Sequence, residues 1–158
     1  MQIYQDMTIG TAKPTVEEMQ GIKHYIIDCI LPSQRYSVSD YKRDAMQAIG
    51  EILQKGKTPI VVGGTGLYIN SIIKNIQYPE LTLDEEYREY LNQIVEKRGL
   101  EVLYQKALTI DPQAMEKISP NDQKRIMRVL EIYKQTGKTK TEQEIESKKQ
   151  EIPYDYKV

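Results

Sequence analysis

The sequence predicts an α/β domain joined to a small helical bundle, and the change between them falls near Pro79. Before Pro79, short apolar runs alternate with amphipathic segments, which is typical of strands joined by helices. After Pro79, helical patterns follow one another with few residues between them, which is typical of a bundle. We expect a partial α/β core over residues 1–79, a helical domain over 80–150 and the start of a return to the core over 151–158.

The first part of the chain should contain two strands, each followed by a helix. The apolar run His24–Leu31 is typical of a buried strand, and Ser37 then opens a helix with Asp40 as its capping-box partner. The second strand, Ile60–Val62, leads through a glycine-rich turn into a helix over Leu67–Lys74. Two strands and two helices cannot cover both faces of a parallel sheet, so the core should be partial.

The second part should contain only helices. Four are predicted: one opened by a capping box at Thr82–Glu85 and closed at Arg98–Gly99, one over Leu100–Leu108, a short one opened by Asp111–Pro112, and one from Ser119–Asp122 to Thr136–Gly137. The charged segment Lys138–Glu151 is either a solvated helix or a linker.

Charge and hydropathy limit the classes of function. A net charge of -1 does not draw the whole molecule onto nucleic acid, so an RNA contact must come from a local basic cluster. No signal peptide and no apolar stretch of membrane-spanning length is apparent, so we expect a cytoplasmic protein without a membrane partner.

The aromatic and sulfur-containing residues are unusual. The chain has 12 Tyr and neither Phe nor Trp, and because a buried hydroxyl needs a partner, these rings should lie at core edges and in clefts. Cys29 lies in an apolar run and is the single cysteine, so it cannot form an internal disulfide. We interpret it as a buried, reduced thiol, with a reactive nucleophile as the alternative.

A glycine-rich turn, Gly63-Gly64-Thr65-Gly66, follows the second predicted strand and opens a helix. Glycines at such a turn let backbone N–H groups approach an anion, and the helix N-terminus adds a favourable partial charge. The Thr65 hydroxyl can donate to a phosphate or diphosphate oxygen. The alternative is a tight turn in which glycine only provides positive φ. No Gly-Lys-Ser/Thr follows, so this is not a Walker A loop.

A basic helix face is the second candidate. At helical spacing, Lys124, Arg125 and Arg128 gather opposite an apolar face. That apolar face consists of Ile126, Val129, Leu130 and Tyr133. The three cations can grip a phosphate backbone, and the alternative is an ordinary solvated helix face.

Two further features are weaker. Gly10-Thr11 with Lys13 suits a second phosphate-facing loop, although a simple turn is the alternative. His24 is the only histidine, and an isolated histidine without neighbouring ligands is usually structural.

Four segments together resemble the tRNA dimethylallyltransferase (isopentenyltransferase) family. They are QIYQDMTIGTAKPT, HYIIDCILPSQRYSVSDYKRDA, PIVVGGTGLYI and PNDQKRIMRVLEIYKQTGK, in the family's order and at about its spacing. The resemblance implies a P-loop-kinase-like, three-layer α/β core of the nucleotide- and ATP-binding class, with an inserted helical bundle. It also implies a reaction: the exocyclic N6 amine of the adenosine 3′-adjacent to the anticodon in tRNA attacks dimethylallyl diphosphate, and diphosphate leaves with help from Mg²⁺.

The resemblance implies roles for particular residues. Gln2 falls where the family contacts the target base, and Thr65 falls beside the diphosphate and the reacting centre. Diphosphate binding is expected from Gly63, Gly64, Thr65, Gly66 and Lys13. Contact with the tRNA anticodon stem-loop is expected from Gln2 and from a segment usually written Gln-Arg-x-x-Arg, here Lys124, Arg125, Ile126, Met127 and Arg128. Lys124 replaces the family's Gln, which keeps a donor and adds charge.

The resemblance also implies that parts of the family's chain are absent. The family begins with a strand and a P-loop, followed by an Asp-Ser pair just before the position of Met1, and that Asp is its general base. Core strands and basic residues expected after Val158 are absent too. We therefore expect a chain truncated at both ends, without measurable prenyl transfer by itself. The alternative is a folded, non-catalytic remnant that binds RNA through its helical part. A nucleotide kinase relative is disfavoured because no Walker A motif occurs.

Overall fold

The computed structural model describes residues 1–79, 82 and 84–158, and these residues form seven helices. The helices are α1 (Val38–Gln54), α2 (Gly66–Ile73), α3 (Glu85–Arg98), α4 (Leu100–Ile110), α5 (Pro112–Met115), α6 (Gln123–Thr136) and α7 (Lys140–Lys148). The chain divides into two compact units, one of Met1–Asn75 with Ile152–Val158 and the other of Ile76–Glu151. None of the helices in these ranges is long and apolar enough to cross a bilayer.

Local capping chemistry sets most of the helix ends. The predicted capping box of Ser37 and Asp40 is present at the start of α1, and Gly137 ends α6 with φ 68°. Asp111 accepts from the backbone N–H of Ala114 and has proline at the next position, as predicted for α5. The charged segment after Lys138 is a helix, because Thr139 and Glu142 form a capping box there.

The start of α3 differs from the prediction. Asp84, and not Thr82, is the N-cap, and its carboxylate accepts from the backbone N–H of Tyr87. Leu83, which belongs to the predicted capping box, lies outside the described residues. A carboxylate at the N-cap also gains from the helix dipole, which favours Asp84 over the threonine.

The Ile76–Glu151 unit packs its helices around one apolar core. The largest fully buried side chains are Leu91 of α3, Leu103 of α4, Met115 of α5, and Ile126, Val129 and Leu130 of α6. Because α6 supplies three of them from one face, its opposite face is left for solvent. Tyr133 was predicted on the apolar face, but its side chain is 42% exposed.

The other unit has a smaller core. Ala45 and Ile49 of α1 pack against Ile72 of α2, with partly buried rings around them. Tyr154 and Tyr156 are among these rings, and the Tyr156 hydroxyl lies 3.9 Å from Sδ of Met46.

The two strand predictions are wrong for the described residues. In His24–Leu31, left-handed φ angles at Ile26 (60°) and Asp28 (50°) break the extended conformation, and only the parallel bridge between Tyr4 and Ile30 forms. Ile60–Val62 pairs with nothing in the described ranges, and Ile60 and Val62 are 82% and 88% exposed. A strand needs a neighbour to bond its backbone and cover its side chains. The three-layer core therefore stays a prediction.

The tyrosines confirm their prediction and Cys29 does not. Ten of the 12 tyrosines are partly buried and two are exposed, so they line core edges. Cys29 is exposed, because the strand that would have buried it is not formed. Desolvation, the largest effect, raises the pKa of its thiol, and this opposes a role as a thiolate nucleophile.

Candidate functional site

The glycine-rich turn ends at an open helix N-terminus. Thr65 is the N-cap of α2, its side chain makes no capping hydrogen bond, and it is exposed. The carbonyl of Thr65 accepts from the amides of Tyr68 and Ile69, whereas the amides of Gly66 and Leu67 find no acceptor in the described ranges. Two free N–H groups and one free hydroxyl therefore meet at this helix end, which is the donor set that an anion requires.

The glycines of the turn are not there for backbone conformation. None of Gly63, Gly64 and Gly66 has a φ in the left-handed region. A Cβ added at Gly63 or Gly64 would meet no atom within 4 Å. Glycine at these positions leaves open space beside the backbone, so a ligand can approach closely, and the interpretation as a turn that needs positive φ is not supported.

A ring stack holds α2, and the sequence reasoning missed it. Tyr68 of the glycine-rich motif stacks on Tyr41 of α1 with ring centroids 4.3 Å apart and 13° between the planes. Desolvation raises the pKa of both hydroxyls, with a smaller contribution from neighbouring groups. Tyr41 and Tyr68 lie in two of the segments that resemble the family. That shared resemblance is the signal in the sequence that could have indicated a contact between them.

Gln2 and Lys13 belong to a different cluster. The Gln2 side-chain amide donates to the carbonyls of Thr11 (3.0 Å) and Ala12 (2.6 Å). Lys13 Nζ donates to the Tyr4 carbonyl at 2.8 Å and forms an ion pair with Asp28, and its side chain is only 3% exposed. Within the part of the chain that the structure describes, no hydrogen bond or ion pair joins these residues to the glycine-rich turn. Lys13 is thus engaged in holding its own loop.

The basic helix face is formed as predicted. Lys124, Arg125 and Arg128 are exposed on α6, with side-chain exposures of 70% for Arg125 and 48% for Arg128. Each arginine makes one long ion-pair contact, Arg125 with Asp122 at 3.3 Å and Arg128 with Glu131 at 3.5 Å. A guanidinium has five N–H donors, so most of them remain available. Ile126 and Met127, expected on the same interface, are buried in the core instead. They anchor the helix that presents the cations.

An ion pair with a buried carboxylate fixes the orientation of this face. Glu131 of α6 is 3% exposed and accepts two hydrogen bonds from Arg88 of α3, Nε to Oε1 at 2.7 Å and Nη2 to Oε2 at 3.0 Å. Arg88 then points its remaining surface to solvent beside Arg128. The two-point contact restrains the rotation of α6 about its axis.

The described part of the chain forms no cluster of metal-ligating side chains. No group of three or more His, Cys, Asp and Glu side chains that could hold an ion is present there. The single histidine, His24, is exposed, and its Nδ1 lies 2.9 Å from the Ile22 carbonyl oxygen.

Comparison with known proteins gives a consistent family. The sequence profile described as IPP transferase matches residues 2–158. A tRNA dimethylallyltransferase of Thermoanaerobacter sp. (strain X514) is 49% identical over 138 residues, which are 87% of this chain and 44% of that protein. A tRNA dimethylallyltransferase of Desulforamulus reducens is 40% identical over all 158 residues, which correspond to 56% of that protein. The chain spans about half the length of the curated relatives it matches.

A solved structure gives the same indication. A eukaryotic dimethylallyltransferase, captured in crystallographic snapshots of its action on tRNA, superimposes with a TM-score of 0.75 at 33% identity. The match covers 94% of this chain and 37% of that one. The described residues therefore share the fold of part of a dimethylallyltransferase.

Proposed function

Because the chain belongs to the IPP transferase family, we propose that it takes part in dimethylallyl transfer to tRNA. The reaction would move a dimethylallyl group from dimethylallyl diphosphate to the N6 amine of the adenosine 3′-adjacent to the anticodon. The observation that carries the proposal is the exposed cationic face of α6, held by a fully buried apolar face. A base must leave its stack to react, so a surface that grips the RNA is a requirement of this chemistry.

The proposed binding of dimethylallyl diphosphate, the prenyl donor, rests on the N-terminus of α2. The Thr65 hydroxyl and the Gly66 and Leu67 amides would donate to diphosphate oxygens, and Gly63 and Gly64 leave room for that approach. These donors would stabilise the charge that develops on the leaving diphosphate. Lys13 would join them only by exchanging its contact with Asp28 for the diphosphate.

The acceptor side rests on α6. Lys124, Arg125 and Arg128 would contact phosphates of the anticodon stem-loop, and Gln2 would reach the target base from its own loop. Ile126 and Met127 would contribute by anchoring the helix and not by touching RNA.

The family resemblance implies Mg²⁺. Mg²⁺ usually takes one or two carboxylates together with substrate phosphates, and the described residues hold no group of three or more His, Cys, Asp and Glu side chains that would mark a dedicated site. We therefore assign the metal no step.

The test of the acceptor side is charge reversal. Arg125→Glu with Arg128→Glu should weaken binding of an anticodon stem-loop RNA by at least about tenfold and lower the slope of log Kd against log salt by about 1.5. The measurement is fluorescence anisotropy across a salt series, with Lys97→Glu/Lys106→Glu as a control of equal charge change on α3 and α4. Unchanged binding would mean that this face of α6 is an ordinary solvated helix surface.

The test of catalysis is turnover by the 158-residue chain. We expect no measurable prenyl transfer from dimethylallyl diphosphate to the stem-loop, because among the described residues no cation is bonded at the glycine-rich turn and Lys13 is paired with Asp28. RNA binding without turnover would match the alternative of a non-catalytic RNA-binding module. Turnover dependent on Thr65, and lost in Thr65→Val, would contradict the expectation and make the chain a catalyst in its own right.

A further inference from the structure

A groove lies between α5, α6 and α7 of the Ile76–Glu151 unit, with a volume of about 330 Å³. Arg125 and Arg128 line one side of it from α6. Lys117, which follows α5, and Lys140 and Lys148 of α7 line the rest of its rim. The cationic face of α6 therefore continues across two further segments of the chain.

The charge balance of the groove is strongly positive. Five cationic side chains and one carboxylate, Glu144, line it. Glu144 is paired with Lys140 one turn earlier on the same helix. Lys117 and Lys148 have no acidic partner within 4.0 Å among the residues that the structure describes. An anionic ligand in the groove would therefore meet the ammonium groups of Lys117 and Lys148, which have no acidic partner among the described residues. It would also meet the guanidinium groups of Arg125 and Arg128, each of which makes one ion-pair contact.

The floor of the groove is apolar. Ala114 and Ile118 form it as part of the helical core, and Ile145 of α7 is half-exposed at its edge. A surface with an apolar floor and cationic rims fits a nucleic-acid chain, in which the weakly polar faces of the bases accompany charged phosphates.

Two backbone amides in the first turn of α7 are already hydrogen-bonded within the chain. The amide of Thr141 donates to Asp111 Oδ2 at 2.9 Å, and the amide of Glu142 donates to Thr139 Oγ1 at 3.1 Å. These two amides are therefore not available to an anion, and the charged groups of the groove are the side chains of its rim.

We infer that this groove binds successive backbone phosphates of RNA, with Lys117 and Lys148 extending the grip of Arg125 and Arg128. The inference rests on the proposed tRNA-binding role of α6 and adds two residues outside the segment that resembles the family's tRNA-contacting motif. Both lysines serve affinity and not chemistry, since a flexible ammonium group contacts phosphate without base specificity.

The experiment uses the 158-residue chain with Lys117→Gln/Lys148→Gln. A labelled anticodon stem-loop RNA should bind about tenfold more weakly at about 0.1 M salt, and the salt slope should fall by about 1.5. A scrambled hairpin of the same length should lose the same factor, because phosphate contacts carry no sequence information. The matched control, Lys97→Gln/Lys106→Gln, removes the same charge from α3 and α4 outside the groove and should change the affinity less than twofold.

The outcomes separate this inference from the proposed function. If Arg125→Glu/Arg128→Glu weakens RNA binding and Lys117→Gln/Lys148→Gln does not, the proposed function stands and the groove is not part of the interface. If the parent chain binds no RNA, both fail. If inorganic pyrophosphate, titrated calorimetrically, requires both lysines while RNA does not, the groove is a site for a free anion and the inference is overturned. Circular dichroism of each variant checks that the helices are retained.

Discussion

Glu131 shows how one side chain can serve both the core and the surface. It lies in α6 among buried apolar residues, yet its carboxylate is bonded by Arg88 and approached by Arg128. A buried carboxylate is costly without partners, so the pair fixes the position of α6 more than it adds net stability. The exposed cations of α6 depend on that position.

At this scale the two halves of the pair should not be equivalent. Arg88→Met leaves the buried Glu131 carboxylate with only the 3.5 Å contact from Arg128 and should cost about 2–3 kcal/mol of unfolding free energy. Glu131→Gln instead frees a half-exposed Arg88 guanidinium that water can solvate, and should cost about 1 kcal/mol. Urea unfolding of both variants measures the difference. Arg98→Met, in the last turn of α3, which also carries Arg88, is the control. Equal costs would mean that the pair acts only by its mutual attraction.

At the scale of elements, α7 is tied to the bundle by Asp111. This side chain is buried and accepts from the Ala114 amide, the Thr141 amide and the Thr141 hydroxyl, the last at 2.6 Å. It therefore caps α5 and secures the first turn of α7 at once. Burial alone would raise the pKa of Asp111, but the hydrogen bonds from Thr141 and Ala114 outweigh it and hold the pKa below its ordinary value.

That lowered pKa gives a stability that depends on pH. The folded chain favours the charged carboxylate, so the contribution is complete above the unfolded pKa of about 3.9 and is lost as pH falls through the folded pKa. Asp111→Asn should be less stable than the parent by about 1–2 kcal/mol at pH 7, and the difference should disappear as the pH falls through the folded pKa of Asp111. Urea unfolding at several pH values measures the difference. Asp155→Asn, at an exposed site, should have the same unfolding free energy as the parent. If the difference between Asp111→Asn and the parent persisted in acid, the charge of the carboxylate could not be its cause.

The elements also separate what sequence can predict from what it cannot. The ends of α1, α5 and α6 depend on side chains within a few residues, such as Ser37 and Gly137, so a local pattern predicts them. The strand at Ile60–Val62 depends on partners distant in sequence, and the pattern alone could not say whether they are present. The cations of α6 were predictable from helical spacing. The contact of Lys13 with Asp28 was not, since a loop brings them together.

The whole molecule contains two cores of unequal size. Among the described residues, ten buried side chains form the cluster of the Ile76–Glu151 unit and three form that of the other unit. Since burial of apolar area is the main stabilising contribution, the helical unit should carry the higher local stability.

Hydrogen exchange should be slower in the helices of the Ile76–Glu151 unit than in those of the other unit. Amides of α4 and α6 should exchange more slowly than those of α1 and α2, as measured by mass spectrometry on peptic fragments. Leu103→Ala should cost about 3 kcal/mol and speed exchange across α3, α4 and α6, because it leaves a cavity at the centre of their core. Val102→Ala, on the exposed side of the same turn, is the control. Unchanged protection in α6 would place the centre of the core elsewhere.

The exposed run at Ile60–Val62 has a consequence for the behaviour of the chain in solution. Three β-branched residues in a row, without a charge among them and without a paired backbone, are a nucleus for intermolecular β-pairing. The net charge of -1 and a pI near 5.9 supply little repulsion between copies around neutral pH. Solubility of this chain is thus a matter of concentration and pH, and Val61→Glu, which places a charge within the run and moves the net charge from -1 to -2, should raise it.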